Sequence, residues 1–102
     1  MTKNTFKINI GTLYVTEAIR SLIEHDSSFS IFINNSLKRH MSGDWGELSE
    51  SDRIRNDGAM NKDYLGLPSE RIISSYLKND VEIWIITEHD RSTTTVLFPD
   101  EY

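Results

Sequence analysis

The chain has 102 residues with 16 acidic and 11 basic side chains, a formal net charge of −5 at pH 7, and this length suits one domain with one hydrophobic core. The absence of cysteine excludes disulfides, thiolate nucleophiles and cysteine-ligated metal centres. It also fits a reducing compartment, so we expect a cytoplasmic protein. No apolar run approaches the roughly 20 residues that cross a bilayer, so we expect no membrane partner.

The first 25 residues combine a strand pattern with a helix pattern. Residues 6–10 alternate apolar and polar side chains, which predicts a strand with one buried face. Gly11 interrupts that strand, and residues 13–15 either continue it or lead into the next element. Thr16 has the chemistry of an N-cap, and the apolar side chains that follow it at helical spacing predict a first helix over 17–25.

A second helix is predicted over residues 29–41, where apolar side chains recur at helical spacing. Ser27 or Ser28 supplies its N-cap, and Gly43 ends it. Its last turn carries the only basic cluster in the chain, made of Lys38, Arg39 and His40. Unaided binding to DNA or RNA needs a larger basic surface, so we expect direct nucleic-acid binding to be disfavoured.

The next segment predicts a turn and a third helix on the surface. Ser49 is a candidate N-cap for a helix over 50–61, whose apolar side chains are Ile54, Ala59 and Met60. The acidic side chains of residues 44–57 are interrupted by two arginines, as is typical of a solvated helix face, and a surface for a basic partner is the alternative. Trp45 lies in the turn, where it either closes the core beside the second helix or anchors a partner.

The C-terminal third has the composition of strands. β-Branched and aromatic residues fill 71–77, 81–87 and 93–98, and short polar segments separate them, which predicts a three-stranded antiparallel meander. We therefore predict an α+β fold in a single domain over residues 1–102. The N-terminal strand near 6–10 and two to three helices pack on a C-terminal antiparallel sheet, which has three strands, or four where that strand joins it.

The middle strand of the meander has apolar side chains on both faces. Ile83 and Ile85 point to one face, and Trp84 and Ile86 point to the other. Helices can cover one face, and the other then exposes an apolar patch unless the third helix, a second copy of the chain or a partner protein covers it. Trp84 is therefore either a core residue or an interface residue, and both alternatives stay open.

One polar turn concentrates side chains that could carry chemistry. Glu88, His89, Asp90 and Arg91 follow one another between two predicted strands, and His89 with Asp90 would resemble a general base and its orienting carboxylate. Neighbours in sequence rarely adopt that geometry, so a solvated hairpin turn is the favoured interpretation. The three histidines have no metal-binding spacing and the five glycines form no phosphate loop. We therefore expect no metal, no cofactor and no catalytic residues.

Three segments of the second half resemble a known group of proteins. GDWGELSESDR at 43–53, RIISSYL at 71–77 and IWIITEHDRSTTTVLFPDEY at 83–102 are similar to segments of small bacterial proteins found on plasmids and other mobile elements. Some of those proteins are labelled plasmid-related, and some are labelled as subunits of type I restriction enzymes. The resemblance spans residues 39–102 and implies a bacterial mobile-element setting. It implies no activity and no residue roles.

These observations favour a non-catalytic accessory protein of a bacterial mobile element that binds another protein. We expect it to inhibit a host defence system of the anti-restriction or anti-CRISPR type. The expected binding residues are Trp84, Glu88, Asp90, Arg91 and Trp45. A homodimer through Trp84 is the alternative assembly. The alternative function is a small enzyme that acts on a phosphate-containing substrate through the 88–92 turn, and a regulator that contacts DNA through Lys38 and Arg39 is a third hypothesis.

Overall fold

The fold is α+β, as the sequence predicts, and within residues 6–102 it has three helices and one four-stranded mixed sheet. The computed structural model describes residues 6–102. Along the chain lie strand β1 (Thr12–Val15), helices α1 (Glu17–His25), α2 (Ser27–Ser42) and α3 (Glu50–Tyr64), strands β2 (Ile72–Lys78), β3 (Val81–Thr87) and β4 (Thr93–Leu97), and a short 3-10 helix (Pro99–Glu101). The strand order across the sheet is β1-β4-β3-β2. Within residues 6–102, no helix has both the length and the apolar character that crossing a membrane requires.

The predicted meander is confirmed. β2 pairs with β3, and β3 with β4, both antiparallel, through the short polar turns that separate them. In this register Trp84 lies beside Ser75 of β2 and Leu97 of β4. The prediction rested on local composition and turn chemistry, which are enough to set hairpins between neighbouring strands.

The prediction of a strand at residues 6–10 is wrong. The strand is β1, which pairs with β4 in parallel and makes the sheet mixed. The alternation of residues 6–10 has another cause, because the buried Ile8 packs in the second core with Trp45, Ala59 and Ile72 without pairing as a strand. Gly11 separates the two segments with a φ of +60°, and a Cβ there would lie 2.2 Å from the carbonyl oxygen of Ser92. The chain therefore needs glycine to turn into β1 at this point.

Side-chain caps set the ends of the first two helices. The Thr16 hydroxyl accepts a hydrogen bond from the Ile19 amide, as predicted for α1. Asp26, and neither of the predicted serines, caps α2, because its Oδ1 accepts from the amides of Ser28 and Phe29. The same residue ends α1, so one residue separates the two helices. Gly43 ends α2 in the left-handed conformation, as the sequence predicts.

Helices α1 and α2 pack on one face of the sheet and build the main core there. The buried members of this core come from both helices and from all three meander strands: Ile19, Phe29, Ile33, Leu37, Tyr76, Ile83, Ile85 and Val96. In β3 the side chains of Ile83 and Ile85 point to this face, which leaves Trp84 on the other. The helix pair therefore protects one side of the sheet only.

The outer edge of β2 is closed by a turn and by α3. Gly46 forms an isolated parallel bridge with Ser75, with the Glu47 amide donating to the Ser75 carbonyl at 2.7 Å. From α3, the amide of Asn56 donates to the Ile73 carbonyl at 2.8 Å. These bonds use backbone groups of β2 that an edge strand would otherwise leave open to another chain.

Helix α3 lies on the surface, as predicted, but Asn56 takes the place of the predicted Ile54 on its buried side. Ser49 caps it through the amide of Asp52, and the helix continues three residues beyond the predicted end. Ile54 is 62% exposed, whereas Asn56 and Ala59 are buried. Of the three predicted apolar positions, Ala59 and Met60 pack on the second core and Ile54 does not. The hydrogen bond from Asn56 to β2 adds a polar contact on the buried side, which an apolar pattern cannot predict.

Candidate binding cleft

The second face of the sheet forms the floor of a cleft. A cavity of about 460 Å³ lies between α3 and the strands β2 and β3. Ile73, Ser75 and Trp84 form its floor, since these residues share the face that α1 and α2 leave uncovered. Asp52 and Arg55 of α3 lie along its wall. Concave sites with an aromatic floor and a few polar groups are where proteins most often bind ligands or partners.

Trp84 is partly covered by the C-terminal residue of the chain. The rings of Trp84 and Tyr102 meet edge to face, with centroids 5.4 Å apart. The guanidinium of Arg71 lies 5.5 Å from the centroid of the Tyr102 ring and donates a hydrogen bond to its hydroxyl. Trp84 is thus neither fully buried nor free, while Tyr102 is 61% exposed. An aromatic pair held in this way offers apolar contact area at a small cost in side-chain entropy.

Glu82 holds a carboxylate in a fixed position beside the indole. Its Oε2 accepts hydrogen bonds from the Ser75 hydroxyl at 2.6 Å and from the Trp84 indole Nε1 at 3.1 Å. Both bonds go to the same oxygen, and across residues 6–102 Oε1 accepts none. The carboxylate is therefore oriented by two donors and keeps one oxygen for a further donor.

The cleft carries a net negative charge. Four acidic residues line it, namely Glu47, Asp52, Glu70 and Glu82, against the two basic residues Arg55 and Arg71. Arg71 is turned to the ring and hydroxyl of Tyr102. When one sign of charge predominates along a cleft, the electrostatic field is concentrated there and attracts groups of the opposite sign. The excess of acidic residues therefore favours a cationic group.

The hairpin turn between β3 and β4 does not line this cleft. Asp90 accepts from the amide and the hydroxyl of Ser92 through one oxygen, at 3.0 and 2.6 Å, and the hydroxyl bond in particular lowers the pKa of its carboxyl. His89 is exposed, and the Glu88 carbonyl accepts from the amide of Arg91. The side chains that could have formed a reaction centre thus have different partners. The interpretation as a solvated turn holds for His89 and Asp90, which are exposed, but not for Arg91.

Arg91 points inward and binds the end of α3. Its Nε lies 2.6 Å from Oδ2 of Asp63, and its Nη2 lies 3.0 Å from Oδ1. The same guanidinium donates to the carbonyls of Glu70 and Glu88 and to the Ser69 hydroxyl. Arg91 therefore connects the hairpin to α3 and leaves little of its side chain for a partner.

Trp45 lies in the second, smaller core. It is 2% exposed, packs with Ile8, Ala59 and Ile72, and donates from its indole Nε1 to Asp57 at 2.8 Å. Trp45 therefore closes the core, which is the first of the two roles considered for it, and it does not anchor a partner. The sequence suggested five candidate binding residues, and the structure puts them in three places: Trp84 lies in the cleft, Glu88 and Asp90 lie on the hairpin, and Arg91 and Trp45 belong to the framework.

A buried histidine shows that the basic cluster of α2 is not a basic surface. His40 has no exposed surface, and burial lowers its pKa to about 3, so it is neutral at pH 7. Its Nδ1 is 2.6 Å from the Ser74 hydroxyl and its Nε2 is 2.8 Å from the Thr87 hydroxyl. The chain of bonds continues from Thr87 to Thr94 and ends on the carbonyl of Ile10. His40 follows Ile33 by seven residues, and this spacing is the sequence signal for a position on the buried face.

Arg39, the second member of that cluster, is bound within the chain. Its Nε and Nη2 donate to the two carboxylate oxygens of Asp44 at 2.7 and 3.1 Å, which lowers the pKa of the Asp44 carboxyl. The guanidinium also lies 4.9 Å from the centroid of the Tyr76 ring. The hypothesis of a DNA contact through Lys38 and Arg39 loses support, because Arg39, although 44% exposed, is already paired with the carboxylate of Asp44.

Across residues 6–102, no three His, Asp or Glu side chains are grouped so that they could hold a metal ion. Comparisons with protein-family models, with curated proteins and with solved structures found no match to this chain. The residues that sequence reasoning missed in the cleft are Glu82, Arg71 and Tyr102. Glu82 shares a strand face with Trp84 through the period of two along β3, which is a local signal for it. No local pattern marks Arg71 and Tyr102, because they reach the cleft only when β2, β3 and the C-terminal segment fold together.

Proposed function

We propose that this protein is a non-catalytic binding protein, which holds a segment of another protein in the cleft between α3 and the uncovered face of the sheet. The observation that carries the proposal is Trp84, a large aromatic side chain that is only partly covered at the floor of a cleft of about 460 Å³. Aromatic side chains in the centre of a concave surface are the residues that most often dominate the energy of protein–protein binding.

The polar groups around Trp84 support binding rather than turnover. Glu82 is oriented by Ser75 and by Trp84 itself, and Arg71 is held by Tyr102. Groups fixed in this way orient a partner at little cost in entropy. The alternative, an enzyme using the 88–92 turn, has no comparable support, because Asp90 and Arg91 are engaged with Ser92 and Asp63.

The biological setting of this proposal rests on sequence resemblance. Every cleft residue named above lies within residues 39–102, the part of the chain that resembles plasmid and mobile-element proteins. We include in the proposal an accessory role in a bacterial mobile element, in the cytoplasm, with a protein of a host defence system as the partner. A protein surface that is acidic overall suits a protein partner better than a nucleic acid.

Affinity capture from bacterial cells with paired variants tests the proposal. The chain is compared with Trp84→Ala and with Tyr14→Ala, which removes an exposed aromatic ring from the same sheet face outside the cleft. We expect a dominant partner protein with the unmodified chain and with Tyr14→Ala, and loss of that partner with Trp84→Ala. Circular dichroism melting shows that each variant is folded, and Asp52→Lys, on the exposed wall, gives a second cleft variant that leaves the sheet intact.

Two results would contradict the proposal. One is retention of the same partner by both folded cleft variants. The other is a dimer of the chain itself, seen by light scattering, that Trp84→Ala dissociates, since a second copy would then occupy the cleft.

A further inference from the structure

We infer that the subsite made by Trp84 and Glu82 takes the guanidinium of an arginine side chain from the partner segment. This inference rests on the proposed binding function, and it adds the chemistry of the occupant. It begins from the pairing of an aromatic ring with a fixed carboxylate, which lie side by side here through the indole hydrogen bond of 3.1 Å.

Elsewhere in this chain, an arginine binds an aromatic ring and a carboxylate at the same time. Arg39 lies over the Tyr76 ring at 4.9 Å and forms two hydrogen bonds to the carboxylate of Asp44. A guanidinium can satisfy a ring and a carboxylate together, because it is planar, stacks on aromatic faces and presents its donors as a fork. Trp84 and Glu82 provide the ring and the carboxylate without an arginine of this chain between them. The nearby Arg71 is directed to Tyr102 instead.

The charge of the cleft favours the same occupant. Glu47, Asp52 and Glu70 line the same cleft as Glu82, so the cleft has four acidic groups against two basic ones. An arginine from a partner would gain from this field, whereas a phosphate or an acidic peptide would be repelled. Lysine would gain from the charge, but its compact ammonium lacks the planar stacking surface.

The test is an NMR titration that follows the indole N–H signal of Trp84, which is assigned by its absence in Trp84→Phe. Trp45 gives the second indole signal and serves as an internal control, since it is buried elsewhere. The probes are hexa-arginine, hexa-lysine and hexa-glutamate peptides with blocked ends. We expect hexa-arginine to shift the Trp84 signal saturably and more tightly than hexa-lysine, and hexa-glutamate to leave it unchanged.

Glu82→Gln is the informative variant, because it keeps the shape and removes the charge. We expect it to weaken hexa-arginine binding about fivefold, the effect of one partly exposed ion pair. Glu24→Gln removes the same charge from α1, on the far side of the sheet, and should leave binding nearly unchanged. Equal weakening by both variants would show attraction by net charge alone and would overturn the inference.

Other outcomes also overturn the inference. These are an unmoved Trp84 signal with hexa-arginine, equal binding of hexa-lysine, or a shift that depends only on protein concentration. If capture depends on Trp84 but hexa-arginine does not bind, the binding function stands and the arginine subsite fails. If hexa-arginine binds at Trp84 but capture ignores the cleft variants, the binding function fails instead.

Discussion

Arg91 and Asp63 form an ion pair with two hydrogen bonds, at 2.6 and 3.0 Å, between the β3–β4 hairpin and the last turn of α3. The two side chains are only 10% and 12% exposed. Among its residues α3 buries only Asn56 and Ala59, while Met60 and Tyr64 make partly exposed apolar contacts, so polar contacts contribute much of what holds this helix. The ion pair and the bond from Asn56 to β2 therefore set the position of the helix that forms one wall of the cleft.

We expect Asp63→Asn to lower the free energy of unfolding by about 3 kcal/mol, because it leaves the Arg91 charge buried without its partner. Urea denaturation followed by circular dichroism measures the change. Glu17→Gln is the matched control, since it breaks the pair between Glu17 and Arg20, whose side chains are 85% and 55% exposed. Glu17→Gln should lower the free energy of unfolding by less than about 1 kcal/mol. Similar losses in the two variants would refute the structural role of the buried pair.

The buried His40 predicts a dependence of stability on pH. Burial lowers its pKa from 6.5 to about 3 in the folded protein, so between these values the unfolded chain binds a proton that the folded chain does not. The free energy of unfolding should therefore decrease as the pH falls from 6.5 toward 3, with this group contributing up to about 1.4 kcal/mol per pH unit. Above pH 6.5 the imidazole is neutral in both states, so this group causes no loss of stability there.

Urea denaturation of the chain and of His40→Gln between pH 7 and pH 4 tests this dependence. We expect the variant to be less stable at pH 7, because Ser74 and Thr87 lose their shared partner, and its stability to fall less steeply toward low pH. His89→Gln removes an imidazole from the exposed hairpin and leaves the buried bonds intact, so it serves as the control. Parallel curves for the chain and His40→Gln would argue against the buried neutral histidine.

Substitution by alanine at two glycines should change the free energy of unfolding in opposite directions. Gly46 has a φ of +74°, and a Cβ there would lie 1.8 Å from the Ser75 carbonyl oxygen. We expect Gly46→Ala to lower the free energy of unfolding by at least about 2 kcal/mol, because the bridge to β2 must open or strain. Gly58 lies in α3 with nothing within 4 Å of its Cβ position, so Gly58→Ala should add about 0.5–1 kcal/mol. Thermal melts compare the stabilities of the two variants. If Gly46→Ala leaves the stability unchanged, the bridge that closes the edge of β2 is not tight.

The elements that the sequence predicts well are those with local causes. Thr16 and Ser49 cap helices through amides three residues away, and Gly43 ends a helix by its own φ. The meander follows from strand composition and short turns. The sequence did not predict Asp26 as the cap of α2, because the following residues Ser27 and Ser28 can cap a helix equally well. Only the structure shows that the Asp26 carboxylate accepts from the amides of Ser28 and Phe29.

The sequence by itself determined the α+β class, the three helices and the hairpin-linked strands, because periodicity and capping act over a few residues. Only the tertiary structure decided that β1 pairs in parallel with a strand about 80 residues later, that His40 is buried and that Arg91 binds Asp63. It also decided that Arg71 and Tyr102 meet the Trp84 side chain in one cleft. The physical reason is that hydrogen bonds and packing between distant segments depend on which faces meet, and a single sequence contains no local signal of that choice.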